Sequence, residues 1–411
     1  MTAKTILILT ADAGFGHRKA ATAIAAALTE THPEARVEIV NPLDDRRTPT
    51  LLRDSQSDYD RWVREAPELY RLGYTASDNF LPAALMDSAL VMFLTNIMVD
   101  LLEEFQPDVV VTTYPMFQAP LLSIYAEVRH PVPVYTVVTD LVSVHRMWFN
   151  RRVAGCLVPT SIVADLAANH GVPPNRIHIT GIPVNPQFSK ETRSKAEIRA
   201  ALGWKTDIPT VLAVGSRRVD HMQDALAVLN HFGLPLQLAV VTGKDAELYS
   251  ELKQVDWHVP AHLYDFVENM PDLMCAADII LCKAGGLIVT ESLACGLPLV
   301  LIDVIPGQET GNAQYVVENG AGDLAETTLQ VLEVFAHLLR GDGKLLKQRA
   351  EAACSLGKPL AAYEVAEILW ERASRRTQYP HPRRLSDRLA GLLLPEMDDE
   401  DDSSEETKES A

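Results

Sequence analysis

The 411-residue chain carries 37 basic and 55 acidic side chains, a net charge of −18, on a composition that is 47% hydrophobic and 22% charged. So much apolar material excludes disorder over most of the chain, and an acidic body repels phosphate backbones, which excludes a general nucleic-acid binder. At roughly 100–200 residues per domain, two large units are the simplest division.

The first predicted element is a strand at Thr5–Thr10, so Met1–Leu9 reads as a core strand and not as a signal peptide. A glycine-containing turn, Ala11–Gly16, follows, and then an alanine-rich helix from about His17 to Glu30. Further strands are expected at Arg36–Val40, Asp108–Thr112, Val134–Val138 and Ala154–Val158. The rhythm restarts after Pro183–Phe188 and a helical Thr192–Leu202, with strands at Thr210–Val214, Leu236–Val241, Asp278–Cys282 and Leu299–Ile302. Short apolar strands alternating with helices predict parallel sheets covered on both faces, with ligands at the carboxyl ends of the strands. The expected units are residues 1–190, residues 191–357, C-terminal helices at 358–394 that could cross back to the first unit, and a disordered tail at 395–411.

The most apolar region, Leu81–Leu102, is broken by Asp87, Ser88, Asn96 and Asp100, and no run reaches the ~18–20 apolar residues of a membrane span. It reads equally as a core helix with its aspartates outward or as a surface that lies on lipid. Arg372, Arg375, Arg376, Arg383, Arg384 and Arg388 form a basic patch beside the apolar Leu389–Leu394. From Glu396 to Glu409 nine acids and one lysine give the tail a net −8, leaving −10 on the body. Cys156, Cys275, Cys282, Cys295 and Cys354 are odd in number and contain no CxxC, which suggests reduced, buried thiols in a cytosolic protein.

Three segments carry possible chemistry. Ala13-Gly14-Phe15-Gly16-His17 is a glycine turn at a strand-to-helix junction, where unpaired N–H groups suit an anion and an imidazole can act as a base near neutral pH. Lys19 stands where the dinucleotide fingerprint needs glycine, which weighs against a nicotinamide enzyme. The alternative is a packing turn with a solvated histidine. Lys283-Ala284-Gly285-Gly286 precedes a predicted helix Leu287–Ala294 bearing Thr290 and Glu291; it suits a pyrophosphate with a ribose beside it, or is a structural turn. Pro306-Gly307-Gln308-Glu309, followed by Gly311-Asn312, offers paired donors and acceptors for sugar hydroxyls, or caps the helix that runs to Asn319. Asp58-Tyr59-Asp60 reads as a solvated face, and no His/Cys cluster suggests a metal.

Gly14-Phe15-Gly16-His17, Val138-Thr139-Asp140 with His145 and Trp148-Phe149, and Pro306 through Gly320 resemble the monogalactosyldiacylglycerol synthases and the bacterial processive diacylglycerol glucosyltransferases over roughly residues 5–370. Both are similar to the peptidoglycan N-acetylglucosaminyltransferase. The resemblance implies the GT-B fold, an α/β architecture of two facing Rossmann-like domains around a cleft. It implies inverting transfer of a hexose from a UDP-sugar to the 3-hydroxyl of 1,2-diacylglycerol, giving a β-glycoside with no cofactor and no obligatory metal. His17 is then the general base, and Gly14, Gly16, Asp140, His145 and Trp148 lie on the acceptor side. The donor side comprises Gly215, Arg217, Arg218, Lys283, Gly285, Gly286, Thr290, Glu291, Gln308, Glu309 and Asn312, with Glu291 on the ribose and Gln308 and Glu309 on the sugar. Val214-Gly215-Ser216-Arg217-Arg218 departs from the glycine-rich loop of plant members, so galactose and glucose both stay open as the sugar. The implied partners are a UDP-sugar, diacylglycerol and an anionic lipid surface that the arginines attract at about 1 kcal/mol each, with no nucleic acid. The expected place is the cytoplasmic face of a membrane, held peripherally. Two other readings stay open: a UDP-sugar 2-epimerase of the same fold, or a non-catalytic nucleotide-sugar sensor on the membrane.

Overall fold

The structure, a computed structural model, describes residues 3–13, 16–54, 80–127 (80–84 by backbone alone), 131–215, 219, 221–307, 309–373 and 384. Gly14, Asp58–Asp60, Arg217, Arg218, Gln308, four of the six patch arginines, Leu389–Leu394 and the acidic tail lie outside the described residues.

Strand β1 (Thr5–Leu9) leads into helix α1 (Gly16–Thr31) and β2 (Arg36–Val40). The long helix α2 (Phe80–Phe105) precedes β3 (Val109–Thr112), α3 (Gln118–Ile124), β4 (Val134–Val137), β5 (Gly155–Val158), α4 (Ser161–Asn169) and β6 (Ile177–Ile179). Helices α5 (Gln187–Lys190) and α6 (Lys195–Leu202) carry the chain to a second sheet. That sheet runs through β7 (Thr210–Val214), α7 (Met222–Asn230), β8 (Gln237–Val241), α8 (Ala246–Leu252), β9 (Ala261–Tyr264), α9 (Met270–Ala276) and β10 (Ile279–Lys283). It ends with α10 (Gly286–Ala294), β11 (Leu299–Asp303), α11 (Thr310–Glu318) and β12 (Gly322–Leu324), and the chain closes with α12 (Thr328–Leu339), α13 (Lys344–Leu356) and α14 (Ala361–Arg372).

Each sheet has six strands, ordered β2-β1-β3-β4-β5-β6 and β12-β11-β10-β7-β8-β9, and every pairing is parallel. Helices cover both faces, which is why β3, β4 and β5 are buried at every residue instead of alternating. The order reverses between β1 and β3 in the first sheet and between β7 and β10 in the second. At such a switch the loops leave in opposite directions and open a crevice at the strands' carboxyl ends.

The last helix among the described residues returns to the first sheet. Ala20, Ala21, Ile24, Ala27 and Leu28 of α1 share one core with Ala362, Val365, Ala366, Leu369 and Trp370 of α14. Small side chains on both helices permit close approach. Lys4 donates to the Trp370 carbonyl at 2.7 Å, and His32 stacks on the Trp370 ring at 4.2 Å.

Three features differ from the sequence-based expectations. Strands β6, β9 and β12 were not predicted; each holds three or four residues, and β6, β9 and β12 include both sheet edges of one unit and an edge of the other. Leu85–Phe105 does form one continuous helical stretch of 21 residues with mean hydropathy 1.7, long and apolar enough to cross a membrane by length and composition, with 39% of it buried. Its inner face (Leu90, Leu94, Ile97, Met98, Val99, Leu102) belongs to the first unit's core, while Leu85, Met92 and Phe93 are exposed. The aspartates do not simply point outward: burial raises the Asp87 carboxyl above the usual range, and Asp100 pairs with Arg47 at 2.5 Å and Arg384 at 2.7 Å. Part of the arginine patch is thereby neutralised within the protein. All five thiols are free, but only Cys156 and Cys282 are buried; Cys354 is exposed.

Candidate active site

β1 and β3 end side by side, and the chain leaving each one meets at His17. The His17 Nδ1 lies 2.9 Å from the Thr113 carbonyl oxygen and 2.7 Å from the Thr139 Oγ1. A carbonyl only accepts, so Nδ1 carries the proton and donates it, and the Nε2 lone pair is left for a substrate proton. Tyr114 meets the imidazole edge-on at 4.9 Å between centroids and Trp148 lies at 5.9 Å. The ring keeps a partly open surface but sits in a shell of protein, and desolvation lowers its pKa to about 4. It is neutral, and therefore able to accept a proton, throughout the physiological range.

Trp148 is buried and donates its indole N–H to Asp140 Oδ2 at 2.8 Å. Burial raises the Asp140 carboxyl to about 6, against the lowering effect of that hydrogen bond. His145 instead caps a short turn: its Nδ1 accepts from the Met147 N–H at 3.2 Å, which aims the ring at the backbone.

The second unit brings the start of α10 to the same place. Gly16, the first residue of α1, lies against Leu287: a Cβ on Gly16 would stand 3.9 Å from the Leu287 Cβ. A Cβ on Gly286 would lie 3.4 Å from the Thr139 carbonyl oxygen. The N-termini of α1 and α10 therefore face one another, and both present the positive ends of helix dipoles to a shared space. No side chain caps α10 at Gly285, so its first amides stay available.

One turn further in, Glu291 is half-buried and desolvation lifts its carboxyl to about 7, with Lys19 of the facing helix opposing the rise. Thr290 is buried and donates its hydroxyl to the Gly286 carbonyl at 2.7 Å, so it serves α10 itself and offers a ligand only its acceptor lone pair. Glu309 stands at the N-cap position of α11, yet its carboxylate does not cap. It receives Lys283 Nζ at 2.9 Å and the Ile305 N–H at 3.1 Å. Asn312 donates to the Ala284 carbonyl at 3.0 Å, and its buried Oδ1 has no hydrogen-bond partner among the described residues. Gly215 directly follows β7, where a Cβ would meet Met222 Cε at 2.5 Å, and no contact joins it to the other site residues among the described residues.

The structure thus brings His17, Gly16, Asp140, Trp148, Gly285, Gly286, Glu291, Lys283, Glu309 and Asn312 around one interface between the units, and turns His145 and Thr290 toward backbone. Sequence reasoning left Thr113, Tyr114 and the Thr139 hydroxyl without roles. Their signal was position: each closes a strand or its following turn at the carboxyl edge of the first sheet. Among the described residues no group of three or more His, Cys, Asp or Glu could hold a metal ion.

Residues 17–184 match the family described as monogalactosyldiacylglycerol (MGDG) synthase, and residues 211–367 match the glycosyltransferase family 28 C-terminal domain. A probable chloroplastic monogalactosyldiacylglycerol synthase of Glycine max is 31% identical over 387 residues, 92% of this chain and 73% of that one. Monogalactosyldiacylglycerol synthase 1 of Arabidopsis thaliana is 29% identical over 92% and 72%. Among solved structures, Acinetobacter baumannii MurG superposes with a TM-score of 0.59 at 16% identity, covering 90% of this chain and 99% of that one. The Neisseria meningitidis UDP-GlcNAc 2-epimerase bound to UDP-GlcNAc gives 0.58 at 15% identity, covering 90% and 100%. At those identities the two solved structures establish the fold alone.

Proposed function

The chain belongs to the monogalactosyldiacylglycerol synthase family of GT-B glycosyltransferases, and from that premise we propose that it moves a hexose from a UDP-sugar to the 3-hydroxyl of 1,2-diacylglycerol. The observation that carries the reading is the Nδ1–H donation from His17 to the Thr113 carbonyl, which leaves Nε2 as a base on the helix whose first residue, Gly16, lies against Leu287 of α10.

In this reading the diphosphate sits between the two helix N-termini and Glu291 accepts from the ribose hydroxyls. Lys283, Glu309 and Asn312, with its unpaired Oδ1, contact the sugar. His17 Nε2 takes the acceptor's hydroxyl proton as that oxygen attacks the anomeric carbon. The bond from the anomeric carbon to the β-phosphate oxygen breaks, and its electron pair leaves on UDP, where the α10 amides and dipole stabilise the added charge. Attack from the face opposite UDP inverts the anomeric centre and gives a β-glycoside. A bound diphosphate also raises the pKa of His17, because negative charge nearby favours the imidazolium. The exposed Leu85, Met92 and Phe93 of α2, spaced to fall on one helix face, bring the protein to the lipid surface where its acceptor resides.

The test is a product assay with diacylglycerol in liposomes containing anionic lipid, UDP-galactose and UDP-glucose in parallel, and lipids read by mass spectrometry. A monohexosyl diacylglycerol from one donor supports the reading and names the sugar. UDP binding without glycolipid from either donor removes the lipid acceptor from it.

A further inference from the structure

Thr139 makes two contacts that belong to different halves of the site. Its hydroxyl oxygen lies 2.7 Å from His17 Nδ1, and its carbonyl oxygen abuts the first residue of α10, Gly286. It opens a short loop whose far end, Ser143, is wedged on the second unit. A Cβ on Gly311 of α11 would fall 2.3 Å from Ser143 Oγ, so the hydroxyl must move, and 3.1 Å from Ser143 N, where the loop backbone must give by a few tenths of an ångström. Residues 139–143 are therefore held at both ends by the helices that would carry the donor, while their first side chain bonds the imidazole. We propose that Thr139 is a positioning residue that couples the seating of the donor unit to the orientation of His17.

The inference rests on the reading of His17 as the base and adds a physical cause for its alignment. The proton on Nδ1 is shared between the Thr113 carbonyl and the Thr139 hydroxyl oxygen, two acceptors that fix both the tautomer and the ring angle. When Nε2 takes a proton, the ring becomes an imidazolium and both acceptors face a full positive charge, where hydrogen bonds are strongest. Moving the loop away from Gly286 and Gly311 withdraws one of the two. A base with one acceptor turns more freely about its side-chain torsion, and misalignment lowers the rate without changing what holds UDP.

The experiment compares the parent protein with Thr139→Val, Thr139→Ser and Gly311→Ala in the liposome assay, with UDP affinity and melting temperature on the same preparations. Valine keeps the shape and removes the hydroxyl. It should lower kcat about tenfold, the effect of one lost hydrogen bond to a charged group, with donor KM and UDP affinity within about twofold. Serine should restore most of the rate. Gly311→Ala, acting from the other end of the loop, should lower kcat in the same way with UDP still bound. A Thr139→Val protein with parental kcat, or a serine variant no better than valine, overturns the proposal. Should the parent make no glycolipid, the functional reading fails while the coupling stays measurable by histidine-selective 15N NMR. Added UDP then shifts the His17 signal further in the parent than in Thr139→Val and Gly311→Ala, where only the direct charge effect of the diphosphate remains; equal shifts in all three overturn the coupling itself.

Discussion

Asp140 accepts a hydrogen bond from the Trp148 indole at 2.8 Å in surroundings so dry that its carboxyl is nevertheless raised to about 6. The folded value lies above the ordinary 3.8, so the folded state holds the proton more tightly than the unfolded chain does. The carboxyl carries no penalty below about pH 4, where both states are protonated, and its full penalty above about pH 6. Asp140→Asn keeps an oxygen for the indole and removes the charge. It should be more stable than the parent at pH 8, by on the order of 2–3 kcal/mol, with the difference closing by pH 4. Denaturant melts at the two pH values check this; equal stability at pH 8 would contradict the burial.

If Glu291 holds the ribose as proposed, its ionisation reports on nucleotide binding. Burial holds its carboxyl near 7, and a ribose with two hydroxyl donors favours the charged form. UDP should therefore bind more tightly at pH 8 than at pH 6, beyond what its own phosphate titration contributes. Glu291→Gln should lose about tenfold in affinity at pH 8 and keep only the phosphate part of the pH dependence. Calorimetry at both pH values, on both proteins, separates the two contributions, and an unchanged pH slope in the variant would place the ribose elsewhere.

The Lys283–Glu309 pair is asymmetric: the lysine side chain is 40% exposed and the glutamate side chain only 7%. Removing the lysine leaves a buried carboxylate with the Ile305 N–H as its remaining partner in the pair's network. Lys283→Met should cost on the order of 1–3 kcal/mol, and Lys283→Met combined with Glu309→Gln should recover most of that loss. A single variant as stable as the parent in urea would show that the acid finds other solvation.

Leu85, Met92 and Phe93 expose 73%, 56% and 42% of their surface on α2. Replacing all three by serine should reduce sedimentation with anionic liposomes several-fold while leaving UDP affinity unchanged. Unaltered liposome binding would move the lipid-facing surface away from α2.

Much of this was legible in the sequence because parallel sheets covered on both faces write themselves as apolar runs. Arg36–Val40 and Thr210–Val214 are read to the residue, and the glycine turns before His17 and at Gly285-Gly286 mark where strands hand over to helices. What escaped depends on contacts between distant segments. The short edge strands β6, β9 and β12 lack enough residues to establish a period. Thr113 and Thr139 are ordinary hydroxyls until the fold sets them on one imidazole nitrogen. Thr290, an attractive ligand on spacing, is spent on the Gly286 carbonyl, and His145 on the Met147 amide. α2 fills the core along one face, as the core-helix reading expects, while Leu85, Met92 and Phe93 lie open on the other.

The most direct measurement is the rate of monohexosyl diacylglycerol formation by His17→Ala beside the parent, with UDP affinity and circular dichroism on the same samples. A general base is worth about 10²–10⁴ in rate, so turnover should fall by at least a hundredfold while UDP binding and the fold are retained. A His17→Ala protein that keeps most of its turnover would contradict the assignment and make Asp140 the next candidate base.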